Sequence, residues 1–316
     1  MENKNLDRKI LKLLTKLFVF FIPITFGFFI LFGFWLPMKY KNSGLSNIEK
    51  WRLLYEGGAN SDIIIFGSSR ALRGYNSTII SQKLNKTCYN FADLGIPLSN
   101  YPRFLHDYLL KNKPPETLIV SLDIFAFNYR DRISTPYRML PFIHERSRIY
   151  NEIYQFRYIK YLKTYGYFYY KNIILQEMKT MQGQKQNLFG FEPLEWEWKN
   201  PTPLVKEAKA IKEYGLDSTK THQYFSEINK LVQKYKIKKT YFILPPVYYS
   251  ELHITGNWKK IVSFTQKECT KLNIELIDML EDSISQNPNY YYDPIHFNSK
   301  GADIFTKKMI KELNKN

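Results

Sequence analysis

The stretch Ser61-Asp62-Ile63-Ile64-Ile65-Phe66-Gly67-Ser68-Ser69-Arg70 decides the fold. Its apolar run shows no polar alternation, so both faces of the segment are buried, as in a central parallel strand rather than a hairpin arm. It ends abruptly in Gly-Ser-Ser, a turn of small residues. Parallel sheets bind ligands beyond the carboxyl ends of their strands. Ser69 therefore stands on the edge where chemistry is expected.

Outward from this stretch, strands and helices alternate. The pattern predicts a helix over 46–57 with Ser46 as N-cap, the first strand over 61–66, a helix near 77–84 and a strand over 87–92. A helix over 99–111, stopped by Pro114-Pro115, leads to a third strand over 117–122. Far downstream the rhythm returns. A helix over 222–236 precedes a strand over 240–244 that stops at Pro245-Pro246. A helix over 257–272 precedes a strand over 274–277, and an amphipathic helix over 299–313, N-capped by Ser299, closes the series. Such alternation builds an α/β fold, a parallel sheet with helices on both faces and right-handed crossovers.

Residues 124–221 interrupt the rhythm as an insertion. Tyr150, Tyr154, Tyr158, Tyr161 and Tyr165 recur at helical spacing, and Tyr167-Phe168-Tyr169-Tyr170, Phe189, Phe191, Trp196 and Trp198 continue the aromatic bias. Two readings stand: the tyrosine face packs the insertion onto the sheet, or it forms an aromatic wall over the site. The Arg and Lys residues of this region argue against a second membrane span.

Phe18 through Met38 is a run of 21 residues without a charged side chain. At a rise of about 1.5 Å per residue it spans about 31 Å, matching a hydrocarbon core about 30 Å thick. Pro23 within it is tolerated in membrane helices. Trp35-Leu36-Pro37-Met38 offers no small-residue cleavage site, so the run reads as an uncleaved signal anchor. Lys4, Arg8, Lys9, Lys12 and Lys16 precede it, whereas Lys39 and Lys41 follow. This asymmetry keeps 1–17 in the cytoplasm, puts the anchor at 18–38 and places 39–316 outside.

The amino-terminal tail accounts for little of the net charge of +17, so the body itself is basic. That charge either favours anionic partners such as envelope polymers or reflects a Lys- and Asn-rich composition. An outward-facing body disfavours nucleic acid as the partner. Cys88 and Cys269 are the only cysteines, with no CxxC and no histidine at metal spacing, so no metal or cofactor is expected. Whether the two thiols pair or stay separate is open. Asn76-Ser77-Thr78 and Asn85-Lys86-Thr87 match the glycosylation triplet and are assigned no role.

The second half of a possible site is Asp293-Pro294-Ile295-His296, just before the last helix. An unactivated serine needs a base within hydrogen-bond reach and a carboxylate that orients that base. Asp293 could engage Nδ1 of His296 and leave Nε2 for Ser69. Of the five histidines, His296 alone combines such a carboxylate with a helix start; His106 precedes Asp107 but lies inside a predicted helix.

On these two motifs the chain resembles the SGNH/GDSL hydrolase superfamily. The resemblance covers 60–126 and 238–312. It implies a flavodoxin-like five-strand sheet of order 2-1-3-4-5 and a triad of Ser69, Asp293 and His296, with Ser68 in the place of the aspartate of Gly-Asp-Ser. The second family block matches Tyr89-Asn90-Phe91-Ala92-Asp93-Leu94-Gly95, which implies an oxyanion hole made by the N–H groups of Ser69 and Gly95. Arg70 and Asn90, beside these blocks, are the candidate substrate-binding side chains. The third block, Gly-x-Asn-Asp, is replaced by Leu122-Asp123-Ile124-Phe125-Ala126. Phe125 falls where the oxyanion asparagine belongs, and Asn128 is a candidate substitute. The degraded block and the lone anchor look most like the membrane-anchored envelope branch, which includes the teichoic-acid D-alanyl transfer protein and polysaccharide O-acetylation proteins. The resemblance thus implies a serine O-acyl esterase or O-acyltransferase acting on an envelope glycan or polymer, with a membrane-bound acyltransferase as a possible partner. The competing reading is an inactive module that binds an anionic envelope polymer.

Overall fold

The computed structural model describes residues 2–127, 133–143, 147–148, 159–180, 189–199 and 212–315. Five short strands, β1 (Ile63–Phe66), β2 (Cys88–Asn90), β3 (Thr117–Ser121), β4 (Lys239–Leu244) and β5 (Glu275–Asp278), form one sheet of order β2-β1-β3-β4-β5. Every neighbouring pair is parallel, with Ile64 opposite Tyr89 and Leu118, and Val120 opposite Phe242. This is the expected order, and the strand ends differ from the expected ones by at most two residues.

Because side chains alternate along a strand, β-branched and aromatic residues supply two cores at once. Ile64, Phe66, Leu118, Val120, Phe242 and Leu244 enter one layer, and Ile63, Ile65, Ile119, Tyr241 and Ile243 the other. The first layer is closed by α3 (Ser46–Glu56), α6 (Tyr101–Lys111), α8 (Ser218–Tyr235) and α10 (Trp258–Leu272), through residues such as Trp51, Phe104, Phe225 and Ile261. The second is closed by α4 (Ser69–Gly74), α5 (Ser77–Leu84) and α11 (Ser299–Leu313), through Leu72, Ile80 and Phe305. A short helix, α9 (Tyr249–Ile254), follows β4.

Two expected caps move by one residue. Leu45, not Ser46, is the N-cap of α3. Asn298, not Ser299, caps α11, because its side-chain oxygen reaches the Gly301 N–H at 2.9 Å while its amide donates to Asn289. The two glycosylation-like triplets also have structural uses: Asn76 caps α5, and Asn85 takes the left-handed conformation that ends it. Cys88 and Cys269 are both buried and unpaired. Burial pushes the Cys269 thiol up to about 12, so neither a disulfide nor a reactive thiolate is present here.

The amino terminus is one long helix: α1 (Glu2–Ile30), a π-helical turn at Leu31–Trp35, and α2 (Leu36–Lys41). Its Asp7–Lys41 stretch is long and apolar enough to cross a membrane. The far end is not a free tether. Phe32, Leu36 and Tyr40, four residues apart, are buried in the same core as Trp51 and Tyr108.

Beside this end lies α7 (Ile159–Thr180), the described helix of the insertion. Tyr150, Tyr154 and Tyr158 lie outside the described residues, as does the side chain of Tyr161. Tyr165 is exposed, and the helix turns Thr164, Tyr167 and Ile174 inward instead. Of the two readings, packing of the Tyr165 face onto the sheet is not what the described residues show: Tyr165 is exposed, and α7 packs on the amino-terminal helix through Phe168. The return segment 189–199 straps the edge of the sheet, with the Asn90 N–H donating to Phe189 O at 2.9 Å and the Trp198 N–H to Tyr291 O at 3.0 Å.

Candidate active site

Ser69 is the first residue of α4, reached from β1 through Gly67 and Ser68. A side chain at 67 would meet Ala71 Cβ at 2.4 Å and Ser121 Cβ at 3.0 Å, so only glycine lets the turn close on β3. Ser68 caps α4 by accepting the Arg70 N–H at 3.3 Å, and its hydroxyl donates to the Asp123 carboxylate. The Ser69 N–H lies in the first turn of α4, where amide donors have no partner within the helix.

The loop before α11 brings His296 to this turn. Its Nε2 lies 2.8 Å from Ser69 Oγ, and its Nδ1 lies 2.8 Å from Asp293 Oδ2. Asp293 also accepts the N–H groups of Ile295 at 2.9 Å and His296 at 2.8 Å, which folds the loop so that the carboxylate faces the ring. A proton on Nδ1 satisfies Asp293 and leaves Nε2 to accept from the serine hydroxyl. Burial would raise the Asp293 carboxyl, but hydrogen bonds from the His296 ring and from these two amides hold it below its ordinary value. Ser69 and His296 remain partly open to solvent, so a substrate can reach them.

Arg70, a candidate substrate-binding side chain, is buried and already engaged. Its guanidinium donates to Asp123 at 3.1 Å, to the carbonyls of Pro245 and Pro246 at 2.9 and 2.8 Å, and through Nε to Ile295 O at 3.1 Å. It ties the turn after β1 to the loop after β4 and to the histidine loop. Asn90 is likewise turned inward: its amide donates to Ala71 O at 2.8 Å and its oxygen accepts the Ala92 N–H at 3.0 Å. Neither side chain is free to contact substrate, and both hold the edge in shape.

Gly95 stands in an exposed turn after β2, on the same edge as Ser69, with φ +60. A Cβ there would meet Ser134 Oγ at 2.0 Å. Asn128 lies outside the described residues. Phe125 lays its ring over the Arg70 guanidinium at 5.9 Å and against Tyr214.

Sequence reasoning missed two groups. Asp123, the carboxylate that receives both Ser68 and Arg70, follows β3 in the degraded block and carries no local signal. The Gly95 turn has a second brace. Arg138 donates to Asp93 at 2.5 Å and to Glu177 of α7 at 2.6 Å; Trp51 Nε1 also reaches Asp93, at 3.1 Å. The buried Lys50 ammonium donates to Ala92 O at 2.5 Å; burial pulls it below its ordinary value, against the pull of Glu192 and Asp93. Among the described residues no group of His, Cys, Asp and Glu side chains is arranged to hold a metal ion.

No known protein family matches the sequence, and no curated protein does. Among solved structures, the chain is similar to a lipase/acylhydrolase from Enterococcus faecalis. The identity is 11%, the TM-score is 0.41, and the match covers 79% of this chain and 94% of that one. The fold assignment rests on the strand order of this chain itself.

Proposed function

We propose that the protein is an extracytoplasmic serine O-acyl esterase or O-acyltransferase of the SGNH type, acting on a cell-envelope glycan or polymer. The observation that carries this reading is the unbroken chain from Ser69 Oγ through His296 to Asp293, with both links at 2.8 Å, at the carboxyl edge of a parallel sheet. In this reading Ser69 Oγ attacks an ester carbonyl as its proton passes to His296 Nε2. The N–H groups of Ser69 and Gly95 receive the developing oxyanion. The tetrahedral adduct collapses, the alkoxide leaves with the proton from His296, and an acyl-Ser69 remains. Water or a sugar hydroxyl, deprotonated by His296, then attacks the acyl carbon, and the proton returns to Ser69. Asp293 orients the ring and stabilises the imidazolium without taking the proton. The anchor and the basic body favour an anionic envelope acceptor and a membrane-borne acyl donor, which a membrane acyltransferase would supply.

Ser69→Ala should lower turnover of an activated ester by about three to six orders of magnitude without changing the melting temperature. His296→Ala should match it, and the double variant should lose no more. A fluorophosphonate probe should label Ser69 alone. A second reading is favoured by Phe125 in the third block: a non-catalytic module that binds an anionic polymer. Full turnover, or full cellular acylation, in Ser69→Ala would replace the first reading with this one. The orientation is tested by adding protease to spheroplasts, where survival of the body would place it inside.

A further inference from the structure

The amino-terminal helix changes character along its length. From Leu11 to Ile30 its large apolar side chains are mostly exposed around the whole helix, whereas from Leu31 onward one side is docked and the other stays bare. Phe32 is 8% exposed, and Phe34, on the opposite side, is 73% exposed. Leu31, Trp35 and Met38 extend that bare apolar stripe to the point where Lys39 and Lys41 begin. Lipid on the bare side therefore reaches a level at which the body already covers the other side.

The element of the body at that level is α7. Phe168 packs against Phe28 and Phe32 at 5.2 and 5.4 Å between ring centroids, while Glu177 accepts from Tyr40 at 2.6 Å. The helix thus runs alongside the anchor in the same direction, and its amino-terminal half is the deeper. Its outward residues follow that depth. Tyr165, Phe168 and Tyr169 are exposed at the deep end, with Tyr169 at 68%, and the Lys171 ammonium sits 5.3 Å above the Phe168 ring. Toward the shallow end Asn172, Gln176, Lys179 and Thr180 face outward beside the exposed aliphatic Ile173 and Leu175, and no exposed aromatic side chain remains. Tyrosine and tryptophan gather where hydrocarbon meets headgroups, and flanking lysines reach anionic phosphates. A bare aromatic patch beside the apolar amino-terminal helix has the chemistry of that layer.

We propose that the amino-terminal half of α7 is inserted in the outer interfacial layer of the bilayer beside the anchor, so that the body rests on the membrane through two helices. This rests on the reading of α1 as a membrane anchor. Its test is nitroxide depth measurement on the full chain in nanodiscs of phosphatidylcholine and phosphatidylglycerol. Single cysteines would be placed at Phe34, Tyr165, Tyr169, Gln176 and Lys307, the last on α11 across the sheet. The parent chain, with both thiols buried, is the labelling control. The ratio of oxygen to nickel-complex collisions should be highest at 34, several-fold above the Lys307 value at 165 and 169, and equal to the Lys307 value at 176. Labels at 165 and 169 that match 307 while 34 stays deep would overturn the insertion of α7 and leave the anchor standing. A label at 34 that also matches 307 would overturn both. Because 165 and 169 are exposed, an unchanged melting temperature for each labelled chain ties the result to the native fold.

Discussion

Two buried arginines brace the two sides of the candidate site, and they do so differently. Arg70 has one carboxylate, Asp123, and three backbone carbonyls, all on loops at the carboxyl edge of the sheet. Arg138 has two carboxylates, Asp93 beside the Gly95 turn and Glu177 on α7, and Glu177 in turn accepts from Tyr40 of the anchor. The Ser69 side is thus closed on itself, whereas the Gly95 side is tied to the amino-terminal helix. Carbonyl contacts fix geometry, and a second carboxylate adds an uncompensated charge if the arginine is lost. The first brace should govern rate and the second stability.

The largest effect should come from removing each arginine. Arg138→Ala leaves two carboxylates, the buried Asp93 and the half-buried Glu177, without their guanidinium partner and should destabilise by about 5 kcal/mol, the upper end for a broken buried pair. Arg70→Ala leaves one, which Ser68 still contacts, and should cost about 3 kcal/mol in urea unfolding. The order reverses for turnover: loss of the Ile295 contact frees the histidine loop, and a misplacement of about 1 Å costs about 10²-fold. Equal losses of stability and of rate in the two variants would erase the distinction.

A sharper cut uses Ser68→Asp, which sets a second carboxylate against Asp123. We expect about 2 kcal/mol of destabilisation from the like-charge pair and its burial, recovered in Ser68→Asp/Asp123→Ser. Destabilisation that the second change leaves untouched would show that the cost does not come from Asp123.

Tyr40→Phe removes only the hydroxyl that donates to Glu177. A hydrogen bond to a charged group is worth about 1.5–3 kcal/mol, and the lower figure is expected because Arg138 and Tyr137 still serve Glu177. Turnover should be unchanged.

The smallest effect concerns pH. Asp293 is held below its ordinary value, so its stabilising contribution is fully present above the unfolded value of about 3.8 and is lost as pH falls through the lower folded value. The melting temperatures of the parent and Asp293→Asn should therefore differ by a constant amount at neutral pH and converge only below that range. Convergence near neutrality would contradict the depressed carboxyl.

The same contrast explains what could be read in advance. The sheet, its order and the Ser69–His296–Asp293 trio were legible because each depends on local pattern: an unbroken apolar run, a turn of small residues, an Asp-x-x-His. The braces were not legible. Tyr40 and Glu177 are 137 residues apart, Ser68 and Asp123 are 55 apart, and a lone buried carboxylate has the same local sequence as a solvated one. Arg70 and Asn90 were misread for a related reason. Polar side chains next to a nucleophile suggest substrate contact, yet the loops there carry carbonyls and amides that need partners before any ligand arrives. Where the Tyr165 stripe would turn was not legible, because helical periodicity gives a stripe but not what lies opposite it.

The seating of Phe32, Leu36 and Tyr40 in the core bears on how such a protein can be cut and released. A body hung from a flexible stalk is shed by one proteolytic cut. Here Gly44 is exposed in the link after the helix, but a nick there would leave the severed helix gripped by the domain it was cut from. Release would require three large side chains to leave the core together, each of which contributes about 1.5–3 kcal/mol of burial. The same dependence sets the order of assembly: the helix is synthesised first, and the domain completes its core only around a helix already in place. The anchor is therefore a folding partner that the body cannot shed without losing part of itself.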